Sequence, residues 1–162
     1  VLISVAFVSQ GHFLLGGLLV TVLGLSDLLD GTMARMKGSA SAWGAFLDST
    51  LDRVADASVL GAVAYYYATQ SQLHNLHLVE AALIALVMGQ LTSYVRARAE
   101  GLGVECKVGI AERAERSILI LAGLILTGLG LNVLPWVLWL LATLTTITVA
   151  QRILHVRRLL LS

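Results

Sequence analysis

Residues 13–52 have the sequence FLLGGLLVTVLGLSDLLDGTMARMKGSASAWGAFLDSTLD, in which an apolar stretch ends in acidic residues and a second segment begins with them. The first part predicts a helix from about Phe13 to Arg35, and the second opens a helix from about Ala42 to Tyr67. A short turn around Gly38 joins the two helices. We therefore expect a helical hairpin whose polar tip carries the acidic side chains.

The composition of the whole chain indicates a membrane protein. Of its 162 residues 57% are hydrophobic and only 13% are charged, with a mean hydropathy of +0.85. Soluble domains have about a quarter charged residues, so a compact soluble helical core would lack the charges to cover its surface. Apolar runs near the ~20 residues that cross a bilayer recur along the chain. The single cysteine, Cys106, excludes an intrachain disulfide.

The remaining apolar segments complete the predicted layout. They are a stub over Val1–Val8, a helix over about Leu78–Ala99, a helix over about Glu112–Leu129 and a last helix opened by Asn132 and Pro135. The predicted fold class is all-α, a polytopic transmembrane bundle of six helices with the first one truncated. Because the chain opens without Met inside an apolar segment, we expect residues 1–162 to be a single transmembrane domain without its natural N-terminus.

The distribution of charge predicts the orientation of the helices. If they alternate across a membrane, one side receives the ends of the second, fourth and sixth helices and the starts of the third and fifth. All eleven basic residues fall on that side: Arg35, Lys37, Arg53, Arg96, Arg98, Lys107, Arg113, Arg116, Arg152, Arg157 and Arg158. Nine of the ten acidic residues share it, with Glu80 as the exception. Short loops rich in Lys and Arg stay in the cytoplasm, so this side is predicted to be cytoplasmic.

Four aspartates at the tip of the hairpin predict a metal site. Asp27 and Asp30 are three residues apart, and Asp48 and Asp52 are four apart, so each pair shares one helix face. Without a counter-charge, four converging carboxylates in an apolar site would repel one another. Oxygen ligands suit Mg²⁺ or Mn²⁺, and a two-metal site suits a displacement at phosphorus.

Small and basic residues beside the aspartates predict nucleotide contacts. Gly31 and Gly44 would let a nucleotide approach the backbone, and Arg35, one turn from Asp30, could hold a diphosphate. Glycines in membrane helices more often allow packing between helices. That packing role is predicted for Gly16, Gly17, Gly61, Gly123 and Gly128.

A second group of basic residues predicts a phosphate-binding pocket. Arg113 and Arg116 share a face at the start of the fifth helix, and with Arg96 and Arg152 they could form a basic pocket. Several guanidiniums suit a phosphorylated ligand better than an uncharged one, since Arg matches phosphate geometry. The alternative is that arginines at helix ends reach lipid headgroups, and we expect this of Arg98, Arg157 and Arg158.

The pattern Asp-x2-Asp-Gly-x2-Ala-Arg-x8-Gly-x3-Asp-x3-Asp resembles the signature of the CDP-alcohol phosphotransferase family. Its fixed positions are Asp27, Asp30, Gly31, Ala34, Arg35, Gly44, Asp48 and Asp52. The resemblance implies a homodimer in the bacterial plasma membrane, with two divalent ions, Mg²⁺ or Mn²⁺, in a cavity that faces the cytoplasm. At its start the sequence departs from the family pattern. We expect the family's N-terminal amphipathic helix and most of its first spanning helix to be missing from residues 1–162.

The same resemblance implies roles for individual residues. Asp27, Asp30 and Asp48 would bind metal, and Asp52 would bind metal or deprotonate the acceptor hydroxyl. The residues implied in binding CDP-diacylglycerol are Asp30, Gly31, Ala34, Arg35 and Gly44.

The stretches SYVRARAE (residues 93–100) and ERAER (residues 112–116) are similar to those of the actinobacterial phosphatidylinositol phosphate synthase subfamily. This implies transfer of a phosphatidyl group from CDP-diacylglycerol to inositol 1-phosphate, with release of CMP. Ser93, Arg96, Arg116 and Arg152 would then bind the inositol phosphate. One alternative is phosphatidylglycerophosphate synthase, whose acceptor is glycerol 3-phosphate. The other is a cation transporter, which carboxylates at one membrane edge and the lack of an internal repeat disfavour.

Overall fold

The described part of the chain is entirely helical. The computed structural model describes residues 2–36, 41–69 and 75–161, and at residue 25 and residues 27–36 it describes the backbone alone. Within these ranges there are six α-helices and no β-strand. They are α1 (Leu2–Ser9), α2 (Phe13–Met36), α3 (Ala42–Thr69), α4 (Leu76–Glu100), α5 (Arg113–Gly128) and α6 (Leu134–Leu161). The predicted all-α class and the predicted helices are confirmed, with ends that shift by a residue or two.

Two of the described helices, α4 and α6, are long and apolar enough to cross a membrane. In α2 the apolar part is the shorter segment Phe13–Gly24. Helix α3 contains four charged residues between positions 48 and 56, and α1 and α5 have only 8 and 16 residues. The six predicted helices are therefore present, and by length and composition two of them qualify as membrane spans.

The outer surface of the bundle is apolar. Large hydrophobic side chains such as Leu83, Val87, Trp136 and Ile147 are exposed on α4 and α6. Water-exposed apolar surface of this extent is unusual for a soluble monomer. The surface therefore suits contact with lipid.

One buried apolar cluster contains side chains from all six helices. Helix α4 packs against α3 and α6, α2 packs against α1 and α5, α1 also contacts α3, and α5 also contacts α6. On α4 the buried residues are mostly small, including Ala81, Ala82 and Ala85. Small side chains let membrane helices approach closely, so α4 can pack between α3 and α6.

The contact between α2 and α5 depends on glycine. A Cβ at Gly128 would overlap the backbone N and Cα of Leu14, and one at Gly17 would lie 3.0 Å from Cγ1 of Ile125. The predicted packing role is confirmed for Gly16, Gly17, Gly123 and Gly128. For Gly61 it stays a prediction, because no described atom of the chain lies within 4 Å of a Cβ built there.

Gly128→Ala is expected to lower the free energy of unfolding by about 1–3 kcal/mol, since the added methyl group meets backbone atoms that cannot rotate away. Thermal unfolding of the purified protein in one detergent measures the change. Gly61→Ala is the matched control and is expected to leave the stability unchanged or slightly higher, because alanine favours helix over glycine. An unchanged midpoint for Gly128→Ala would contradict the close contact.

The charged ends of the helices meet at one end of the bundle. Arg113 at the start of α5 reaches Asp52 in the first half of α3, and Arg152 in the last part of α6 reaches the backbone of Thr92 on α4. The start of α2 contacts the end of α5 through Leu14 and Gly128, so α2 runs antiparallel to α5. The C-terminal end of α2 therefore lies at the same end of the bundle as the start of α5, as the charge pattern predicts.

Candidate active site

A cavity of about 1060 Å³ opens among the helices and is lined by residues from all six of them. Part of its wall is polar and carries Asp48, Asp52, Asp56, Gln90, Arg113, Arg116 and Ser117. The rest is largely apolar and includes Val20, Leu23, Leu51, Val54 and Leu60. A cavity with a charged part and an adjoining apolar part suits a ligand with a polar head and a hydrocarbon chain.

Asp48 and Asp52 lie one helical turn apart on α3, and both line the cavity. This is the face that their spacing predicts. Gly44, one turn earlier, lines the cavity as well. The side chains of Asp27, Asp30, Ala34 and Arg35, and the surroundings of Gly31, lie outside the described residues.

The described side chains include only part of the predicted aspartate cluster, namely Asp48 and Asp52. Among the side chains it describes, no group of three or more His, Cys, Asp or Glu is arranged to hold a metal ion. Since this search does not include Asp27 and Asp30, convergence of the four carboxylates stays a prediction.

Arg113 is the direct charge partner of Asp52. Its Nη2 lies 2.7 Å from Oδ1 of Asp52, and its Nε lies 3.7 Å from Oδ2 of Asp56. The same Asp56 oxygen lies 3.9 Å from Nη2 of Arg116. Two carboxylates of α3 and two guanidiniums of α5 therefore form one ionic network across the cavity.

Sequence reasoning gave Asp56 no role in the site, and it placed Arg113 in the basic pocket without pairing it with the aspartates. The available signals were their spacings, because Asp56 continues the face of Asp52 after four residues and Arg113 precedes Arg116 by three. Each spacing predicts that two residues share one face of their own helix. Neither spacing predicts that the face on α3 meets the face on α5.

Arg116 is the buried guanidinium of the cavity wall, with 9% of its surface exposed. Its Nη1 donates to the backbone carbonyl of Ala111 at 3.2 Å. Gly89 on α4 lies beside it, where a Cβ would be 3.7 Å from Nε of Arg116. A buried cation held by a backbone carbonyl and one distant carboxylate has hydrogen-bonding capacity left for an anionic ligand.

The other three predicted phosphate-binding residues are not among those that line the cavity in the described chain. The guanidinium of Arg152, 3% exposed, donates from Nε to the carbonyl of Val108 and from Nη1 to that of Thr92, each at 2.7 Å. The Nε of Arg96 lies 2.9 Å from Oε1 of Glu100. Ser93 is half-buried on α4.

The linker between α4 and α5 has its own ion pair. The Nζ of Lys107 lies 2.6 Å from Oε1 of Glu105. The hydrogen bond and the charge of Lys107 lower the pKa of Glu105, and the same pair raises the pKa of Lys107. The charge of Lys107 is thus balanced locally, so it adds little to the basic character of the cavity.

The sequence profile of the CDP-alcohol phosphatidyltransferase family matches residues 1–150 of the chain. The chain belongs to this family. The resemblance predicted from the aspartate signature is confirmed. CDP-alcohol phosphatidyltransferases are membrane-embedded enzymes of lipid biosynthesis, which agrees with the apolar helices α4 and α6.

Two relatives of this CDP-alcohol phosphatidyltransferase are phosphatidylinositol phosphate synthases. That of Streptomyces avermitilis is 41% identical over 96% of this chain and 66% of its own length. That of Cutibacterium acnes is 44% identical over 98% of this chain and 80% of its own length. The chain therefore spans about two thirds of the first relative and four fifths of the second.

Solved structures of the phosphatidylinositol phosphate synthase of Mycobacterium tuberculosis share the fold. One has CDP-DAG bound and superposes with a TM-score of 0.87 at 36% identity, covering 94% of this chain and 80% of that one. Another is in complex with manganese and citrate, with the same TM-score and identity over 94% and 76% of the two chains. The six-helix architecture is therefore that of a solved member of the family.

Proposed function

We propose that the chain is a phosphatidylinositol phosphate synthase, which transfers the phosphatidyl group of CDP-diacylglycerol to inositol 1-phosphate and releases CMP. The observation that carries the proposal is that one cavity contains the α3 carboxylates and the buried guanidinium of Arg116. Carboxylates suit the metal ions of a displacement at phosphorus, and a guanidinium suits a phosphorylated acceptor. The relatives and the solved neighbour, which are themselves phosphatidylinositol phosphate synthases, support this assignment.

The cofactors in this proposal are two divalent ions, Mg²⁺ or Mn²⁺, held by Asp27, Asp30, Asp48 and Asp52. The described part of the site fits a cation, since Arg113 already brings positive charge to within 2.7 Å of the Asp52 carboxylate. The donor set consists of oxygens, which these ions prefer. When bound, the ions would polarise the diphosphate and stabilise the leaving CMP.

The protein residues bind and orient the lipid donor. Asp30, Gly31, Ala34, Arg35 and Gly44 are proposed to hold the CDP part of CDP-diacylglycerol. The apolar wall near Leu51, Val54 and Leu60 offers contact for its acyl chains. Arg113 contacts Oδ1 of Asp52, and a shift of Arg113 towards Asp56, its second partner, would leave both Asp52 oxygens to a metal ion.

The acceptor end of the site is proposed to consist of Ser93, Arg96, Arg116 and Arg152. Arg116 faces the cavity directly, whereas Arg96 is engaged by Glu100 and Arg152 by backbone carbonyls of α4 and the linker. Asp52 is proposed to take the proton from an inositol hydroxyl, whose oxygen then attacks the β-phosphorus. Positioning and electrostatic stabilisation supply most of the rate enhancement in such a site.

The cellular setting belongs to the same proposal. The eleven basic residues at one end of the layout support a bacterial plasma-membrane protein whose cavity faces the cytoplasm. Residues 1–162 are proposed to form one transmembrane domain, and two copies are proposed to form a homodimer.

CMP release from CDP-diacylglycerol tests the proposal directly. The purified protein is incubated with Mg²⁺ and with inositol 1-phosphate, free inositol or glycerol 3-phosphate. Turnover with inositol 1-phosphate alone is the expected result. Turnover with glycerol 3-phosphate alone would instead identify a phosphatidylglycerophosphate synthase. Cation flux without CMP release would support the transporter alternative.

Removal of divalent ions is expected to abolish turnover. EDTA should reduce CMP release to background, and excess Mg²⁺ or Mn²⁺ should restore it, because the carboxylates alone cannot polarise the diphosphate. Titration with Mn²⁺, followed by electron paramagnetic resonance, is expected to give two bound ions per chain. Full activity in EDTA, or no bound Mn²⁺, would contradict the proposed metal site.

A further inference from the structure

We infer that Thr148 is a positioning residue for the acceptor site, because it fixes Ala111 and, through Ala111, the guanidinium of Arg116. The inference rests on the proposed function in one respect, the role of Arg116 as the ligand of a phosphorylated acceptor. Thr148 lies on α6, is fully buried and is not among the residues that line the cavity.

The hydroxyl of Thr148 is oriented by its own helix. It donates to the carbonyl of Leu144 at 2.8 Å, so its remaining lone pairs are available as acceptors. The backbone N–H of Ala111 donates to this oxygen at 3.1 Å. Ala111 is fully buried, so its N–H depends on a protein partner.

Ala111 then connects Thr148 to the cavity. Its carbonyl accepts the hydrogen bond from Nη1 of Arg116 at 3.2 Å, and it lies two residues before α5 begins at Arg113. Ala111 therefore donates its N–H to Thr148 on α6, and its carbonyl accepts a hydrogen bond from the Arg116 guanidinium. Displacement of Ala111 would move the carbonyl that sets the direction of the Arg116 side chain.

Shape complementarity fixes the same contact. Gly109 has φ of +130°, a conformation that other residues rarely adopt, and a Cβ there would lie 2.5 Å from Cγ2 of Thr148. On the neighbouring residue, the carbonyl of Val108 accepts the bond from Nε of Arg152. The linker is therefore held against α6 at residues 108, 109 and 111, directly before the arginines of the site.

Three variants on one helix test the inference. Thr148→Val keeps the β-branched shape and removes the hydroxyl, while Thr148→Ser keeps the hydroxyl. Thr143→Val is the matched control, because the hydroxyl of Thr143 is exposed and, within the described residues, bonds only to its own helix at the carbonyl of Trp139. The measurements are KM for each substrate, kcat, thermal unfolding, and the Kd of inorganic phosphate for the Mg²⁺-loaded protein.

Thr148→Val is expected to raise KM for inositol 1-phosphate and Kd for inorganic phosphate by about tenfold. This is the effect of weakening one hydrogen bond between a charged guanidinium and a phosphate. KM for CDP-diacylglycerol and kcat should change by less than about twofold. Thr148→Ser and Thr143→Val should behave like the wild type. If Thr148→Val does not fold, Thr148→Ala, which relieves any steric misfit, takes its place with the same expectation.

An unchanged KM for inositol 1-phosphate and an unchanged Kd for inorganic phosphate in Thr148→Val would overturn the inference, as would two further results. One is an equal rise in KM for both substrates, which indicates general loss of structure. The other is a Thr148→Ser variant as impaired as Thr148→Val, which indicates packing rather than the hydroxyl. Failure of the proposed function is visible separately, because the wild type itself would then give no turnover with inositol 1-phosphate, and Kd for inorganic phosphate would still decide the role of Thr148.

Discussion

Asp52→Asn is expected to reduce kcat by about 10²- to 10⁴-fold, the usual range for loss of a positioned proton acceptor. Asn has nearly the same shape as Asp but cannot accept a proton, and as a neutral ligand it binds a divalent ion more weakly. Asp52 lies on the cavity wall with Arg113 at 2.7 Å, so the substitution changes charge at the proposed reaction centre. CMP release in the presence of saturating Mg²⁺ and substrates measures it.

Asp56→Asn is the matched comparison for this experiment. Asp56 lies one turn beyond Asp52 on the same helix and contacts the same Arg113, but it also contacts Arg116. We expect its loss to act on KM for the acceptor more than on kcat. Thermal unfolding should show that both variants keep the fold. Normal turnover by Asp52→Asn would contradict its role as an essential group.

Arg116→Gln is expected to raise KM for inositol 1-phosphate by roughly 10- to 100-fold, the value of one charge-assisted hydrogen bond. The side chain is buried at the cavity wall and is anchored by the carbonyl of Ala111. Gln retains polarity and much of the length but has neither the charge nor the planar fork. KM for CDP-diacylglycerol is expected to stay within about threefold of the wild type.

Two further variants separate charge from geometry. Arg116→Lys keeps the charge and loses the fork, so it should restore only part of the affinity for the acceptor. Arg157→Gln removes an exposed cation near the end of α6 and should have no effect on either KM. Equal losses in Arg116→Gln and Arg157→Gln would indicate that basic residues act through the membrane surface rather than through a defined contact.

Much of the architecture could be predicted because it depends on local sequence. The apolar segments gave the six helices within a residue or two at their ends, and the fixed spacing of the signature gave the family. The i, i+4 relation of Asp48 and Asp52 gave their common face, which is the cavity-lining face of α3. The grouping of Asp27 and Asp30 with them is still a prediction.

Contacts between helices explain what was missed at the site. Arg113 and Asp56 were visible as charged residues at helical spacing, yet nothing in their spacing revealed that α5 packs with Arg113 against Asp52. Arg152 was grouped with Arg116 as a phosphate ligand, which stays a prediction, and the structure adds that its guanidinium donates to two backbone carbonyls. Backbone acceptors have no residue-specific signature, so the sequence could not reveal them.

By itself, the sequence determined the helices, the family and the aspartate-bearing faces, because each depends on residues within a few turns of one another. Only the tertiary structure decided which charges meet. The bond from Arg152 to Thr92 joins residues 60 apart, and that from Arg152 to Val108 joins residues 44 apart. Such contacts are set by the packing of apolar faces and small residues between helices, and that packing fixes the rotation of each helix and hence the charges that face the cavity.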